Sequence, residues 1–89
     1  MATVHEEIFV HPTQASRVRL RVFAKPPEPT VAGLGPDQPG FLVTEERIGS
    51  RTVFSTLDFL PTRELALETL RARATELAHQ RYRPASATA

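Results

Sequence analysis

Arg17-Val18-Arg19-Leu20-Arg21-Val22, inside the stretch Ser16 to Ala24 (SRVRLRVFA), alternates arginine with aliphatic residues. Successive strand residues point to opposite sides, so a period of two puts Val18, Leu20 and Val22 on a core and Arg17, Arg19 and Arg21 on a wet face. This stretch decides the fold class. It calls for a sheet with one covered side, and the rest of the chain must supply both neighbouring strands and the cover.

Upstream, His5 to His11 (HEEIFVH) reads as a strand, with Ile8, Val10 and Glu6 on one side and Phe9, Glu7 and His11 on the other. Pro12-Thr13-Gln14 supplies a turn. Downstream, Lys25 to Gly40 (KPPEPTVAGLGPDQPG) holds five of the eight prolines and three of the four glycines, a density that no ladder or helix survives. It reads as a long loop. Phe41 to Gly49 and Arg51 to Phe59 read as two further strands, and the short turn at Ile48-Gly49-Ser50 makes them an antiparallel hairpin. Strict alternation along the last strand places Val53, Leu57 and Phe59 on one side, and Phe54 on the other with Thr52, Thr56 and Asp58. Apolar groups on both sides suggest a strand that is central or covered on both faces.

Pro61-Thr62 opens a helix, with Thr62 as N-cap and Glu64 in the first turn, where a negative charge suits the helix dipole. Ala66, Leu67, Leu70, Ala74, Leu77 and Ala78 form one apolar stripe, while Glu64, Glu68, Arg71, Thr75 and Glu76 lie opposite. Arg81 and Arg83 would complement the C-terminal dipole, and Pro84 would stop the helix. The expected fold is α+β: one domain over residues 1–84, an antiparallel sheet of about four strands packed by one C-terminal helix, and a disordered tail over 85–89.

The chain has 89 residues and a mass of 9.9 kDa, which allows one domain with a small core. Cysteine is absent, which removes disulfides, thiolate catalysis, zinc-thiolate sites and iron–sulfur clusters, and suits a reducing cytoplasm. No apolar run approaches the length of a membrane span, and Met1 to Val10 carries two adjacent glutamates instead of a basic segment and an apolar core, so neither a membrane anchor nor a signal peptide is expected. The net charge of +1 is too small to announce a polyanionic partner by itself.

Chemistry-bearing constellations are sparse. His5 and His11 are six apart on one strand, about 20 Å along it, too far for one metal ion. The pairs Glu6-Glu7 and Glu45-Glu46 point to opposite faces, so neither makes a convergent acid–base dyad. Phosphate-loop, dinucleotide-binding and nucleophile-elbow motifs are absent. No catalytic residue, cofactor or metal ligand is expected. Arg17, Arg19 and Arg21 are spaced by about 6.6 Å, near the phosphate repeat of a nucleic-acid strand. They can equally pair across the sheet with Glu6, Glu7, Glu45 or Glu46. The near absence of Tyr and Trp leaves little stacking surface for single strands.

Glu45-Glu46-Arg47-Ile48-Gly49 resembles the Trp-Gly-Arg…Ile-Gly signature of WGR domains, with Arg47-Ile48-Gly49 retained and Trp-Gly replaced by Glu45-Glu46. Ser50 to Phe59 fits the strand that follows in the family, and Ala66 and Tyr82 resemble its helix alanine and closing aromatic. The resemblance covers roughly Phe41 to Arg83. It implies a curved antiparallel sheet with a helix across it. In poly(ADP-ribose) polymerases the WGR domain contacts DNA ends, its tryptophan and arginine taking part. Arg47 matches the arginine; the two carboxylates in place of Trp-Gly are repulsive to phosphate.

Two functional expectations follow. The favoured one is a small non-enzymatic protein-interaction or regulatory module, WGR-like, engaging a protein partner or its own second copy through a sheet edge or the Pro-rich loop. The alternative is a nucleic-acid-binding module using Arg17, Arg19, Arg21, Arg47 and Arg51. Charge segregation separates them: glutamates facing away from the arginines favour the second, and interleaved glutamates favour the first.

Overall fold

A computed structural model describes residues 2–25 and 39–85. The expected Pro/Gly-rich loop thus lies outside the described residues except at its ends, as does the expected tail beyond Ala85. Lys25 and Gly40, expected as the ends of the loop, instead pair with each other at the ends of two strands.

Four nine-residue strands form an antiparallel meander: β1 (Ala2–Val10), β2 (Arg17–Lys25), β3 (Gly40–Ile48) and β4 (Thr52–Leu60). Helix α1 (Arg63–His79) follows, and the chain then returns to the far side of the sheet as β5 (Arg83–Pro84). The sheet order is β4-β3-β2-β1-β5. The fold is α+β, with five strands and one C-terminal helix among the described residues.

The alternation in β2 works as the sequence requires. Val18, Leu20 and Val22 are fully buried, together with Val43 on β3 and Ala66, Leu70 and Leu77 on the helix; Phe9 and Tyr82 complete the core. Burial of this apolar surface is the main drive for folding, roughly 1.5–3 kcal/mol for each large side chain. Thr62 caps the helix as expected, its Oγ1 accepting from the Leu65 amide at 3.2 Å.

Two expectations are overturned. First, β4 is an edge strand, not a central one. The β3–β4 register shifts between Val43↔Asp58 and Thr44↔Thr56, leaving Leu57 as an extra residue. A bulge of this kind breaks the alternation downstream. Leu57 and Leu60 therefore pack toward the core, whereas Phe59 pairs with Leu42 on the side that carries Phe54. Second, the helix stops at His79, and Arg83-Pro84 are strand residues rather than its last turn. Arg81 has φ of 71°, the Tyr82 amide donates to the Leu77 carbonyl at 2.9 Å, and the Arg81 amide donates to the Ala78 carbonyl at 3.0 Å. This is a Schellman termination with arginine where glycine is usual, and the buried pair Leu77 and Tyr82 supplies its apolar contact.

Candidate functional site

The register divides the side chains into two faces. Val18, Leu20 and Val22 lie opposite Arg47, Glu45 and Val43 on the helix side; Arg17, Arg19 and Arg21 lie opposite Ile48, Glu46 and Thr44 on the other, which no element covers among the described residues. The adjacent residues Glu45 and Glu46 therefore go to opposite sides, as the strand period demands.

Glu45 is buried beneath the helix. Arg73, on the helix, donates from Nε to its Oε1 and from Nη2 to its Oε2 (3.3 Å), and Arg47 donates from Nε to Oε2 at 3.3 Å. Arg73 also bonds Glu76 at 2.7 Å. Burial pushes the Glu45 carboxyl up, but the hydrogen bonds and charges of Arg73 and Arg47 together outweigh it and hold the group below the ordinary carboxylate value. Glu45 is thus a helix-docking carboxylate, and Arg47 is committed to it.

On the open side, charges interleave. Arg19 Nε lies 3.1 Å from Glu6 Oε1, Arg19 Nη1 lies 3.2 Å from Glu46 Oε1, and Arg21 Nη2 lies 3.6 Å from the same oxygen. Arg19 Nε, Arg21 Nε and Glu46 Oε1 are buried within this ladder without a well-aligned hydrogen bond, as is Thr44 Oγ1 beside it. The ladder sums to zero charge. Apolar residues flank it. Arg21 lies over the Phe23 ring at 5.2 Å, and the Phe59 ring covers Gly40, where a Cβ would run into it. Phe54 (56% exposed) and Phe59 (41%) are the large apolar side chains that this face offers to solvent, and Val53 (52%) is exposed on the other side of the same strand.

The five candidate arginines do not form one surface. Arg17, Arg19 and Arg21 share the open face, two of them tied to glutamates. Arg47 belongs to the helix side, and Arg51 sits in the turn before β4, where its carbonyl accepts from the Gly49 amide. Residues missed from sequence are Arg73, 28 positions from its partner Glu45, and the exposed face of β4. The arginine in a helix of ordinary charge carried no signal. The bulge that turns Phe59 outward had no glycine to mark it.

Two of the three histidines, His5 and His11, have structural partners. His5 Nε2 is 2.9 Å from Glu7 Oε2 in a cleft of about 580 Å³ between β1 and α1 that Arg71 and Thr75 also line. His11 Nδ1 accepts from the amides of Thr13 and Gln14, both at 3.1 Å, and its ring meets Tyr82 edge-on at 5.2 Å. Among the described residues no cluster of three or more His, Asp or Glu could hold a metal ion, and no helix is long and apolar enough to cross a membrane. No family model, curated protein or solved structure matches this chain.

Proposed function

We propose that this chain is a small non-enzymatic protein-interaction module that receives a partner along the β4 edge, with Val53, Phe54 and Phe59 as its apolar contacts. The observation that carries this reading is the bare edge. β4 has nine residues, one hydrogen-bonded neighbour among the described residues, one charged side chain and no proline or lysine. Soluble proteins usually protect such an edge, because its outward N–H and C=O groups accept another strand. The interleaved glutamates support the same reading: Arg19 and Arg21 already face carboxylates, so a phosphate backbone would have to displace them. WGR-like kinship belongs to this proposal as a relation of fold and of the Arg47-Ile48-Gly49 motif, with the family's Trp-Gly replaced by Glu45-Glu46.

The test has two arms. Immobilised wild-type chain should retain protein, whether another copy or a different chain, that a Val53→Lys variant does not; equal retention by both overturns the reading. Fluorescence anisotropy with short duplex and single-stranded DNA should show no binding at low salt. Affinity that falls steeply as salt rises and is lost in Arg19→Ala would overturn it in favour of nucleic acid.

A further inference from the structure

We propose that the partner at this edge is a second copy of the chain, the two β4 strands pairing antiparallel about a two-fold axis at Ser55 to join the sheets edge to edge. The inference rests on the reading of β4 as the interaction surface and names its occupant.

Charge complementarity selects the second copy and the direction. The β4 edge has a basic residue just before it, Arg51, and an acidic one near its end, Asp58. Neither makes an ion pair among the described residues; the Asp58 carboxylate accepts only from the neighbouring Phe59 amide, at 2.8 Å. Antiparallel self-pairing brings Arg51 of each copy to the Asp58 end of the other, making two equivalent opposite-charge contacts. Parallel pairing in register would set arginine beside arginine and aspartate beside aspartate, which is destabilising.

Side-chain parity agrees with that register. An axis at Ser55 sets Val53 opposite the copy's Leu57, both on the helix side, and Phe54 opposite Thr56, both on the open side. On the helix side apolar then meets apolar, and the half-exposed Val53 gains the cover it lacks in the single chain. The two helices lie on the same side of the joined sheet, so the Glu45–Arg73 contact is undisturbed.

The rest of the molecule limits the assembly. Stacking the open faces instead would strip water from the Glu6–Arg19–Glu46–Arg21 ladder, whose buried atoms already lack well-aligned hydrogen bonds, and desolvating such charges is costly. At the opposite sheet edge β5 and its proline cover the end of β1 beside Phe9 and Val10, so the stretch left open there is shorter than the one β4 offers. An isologous contact of this kind closes at two copies.

Sedimentation equilibrium of the full chain from low to high micromolar concentration tests this. The wild type should be dimeric, and Val53→Lys, a change at an exposed position, should be monomeric with an unchanged circular dichroism spectrum. Arg51→Glu and Asp58→Arg should each weaken the dimer by about tenfold, because each turns two attractive contacts repulsive, and the double reversal should restore it to within about threefold. A wild-type monomer throughout the range overturns the proposal, as does a dimer indifferent to Val53→Lys and to the charge reversals. A monomer that still retains another protein through Val53 refutes the second copy as partner while leaving the interaction module standing. Loss of both refutes the two together.

Discussion

At one side of the sheet the chain comes back from the helix and lays Arg83 and Pro84 against Val10 and Phe9, closing that end of β1; at the other side the nine residues of β4 have no strand on their outer side among the described residues. The closed edge is built from several small devices. The Schellman turn reverses the chain, Tyr82 fills the end of the core, its hydroxyl meets Ser16 Oγ at 2.7 Å, and the Ala85 amide donates to the Ile8 carbonyl at 2.7 Å. Pro84 then removes a donor from the outermost position. The bare edge has none of these. A short chain that spends its last six described residues, 80–85, covering the end of one edge, and leaves the outer side of β4 bare along nine residues among the described residues, separates a structural boundary from a surface for contact.

The closed edge should break first and most severely. Tyr82→Ala empties a buried aromatic position and removes the bond to Ser16, and should cost about 3–5 kcal/mol in urea denaturation. Phe54→Ala, at the open edge, should stay within about 0.5 kcal/mol of wild type in the single chain. Equal losses would erase the contrast between the edges.

The next effect lies at the helix that carries the chain from one edge to the other. Glu45→Gln should cost about 1–3 kcal/mol at neutral pH, because a buried charge-assisted contact to Arg73 and Arg47 is weakened. The sign with pH follows from the lowered carboxyl. Its contribution is complete above the ordinary value of 4.5 and is lost as pH falls through the depressed folded-state value. Wild type and variant should therefore converge in acid. A gap that stays constant down the acid limb would contradict this role for Glu45.

The smallest effect sharpens the closed edge. Arg81 holds the left-handed conformation that glycine adopts without steric cost, so Arg81→Gly should raise stability by about 0.5–1 kcal/mol, read as a higher urea midpoint with the same slope. A loss instead would mean that the arginine side chain holds the turn.

What could be read from sequence followed from local rules. The six residues Arg17 to Val22 fixed the central strand, Thr62 marked the helix start, and the short turn after Ile48 marked the β3–β4 hairpin, because each signal lies within a few residues of its effect. The features that separate the edges were not local. Leu57 is a bulge with no glycine, and one extra residue there moved Phe59 to the other face. β5 is two residues long, shorter than any period can be read from, and its arginine and proline look like an ordinary helix end. For the site, the alternation put Arg17, Arg19 and Arg21 on one face, but the separation of Arg47 and Arg51 from them depends on pairing register. So does the placement of Glu46 between Arg19 and Arg21, which turned a basic stripe into a neutral ladder.

The central claim, that β4 is the edge where a second copy binds, is tested most directly by amide hydrogen exchange at several protein concentrations. The account expects protection across residues 52–60 to rise with concentration, while amides of the internal strand β2 exchange at a constant rate. Protection in β4 that does not change with concentration, in a range where the chain is shown to self-associate, would place the contact elsewhere and contradict it.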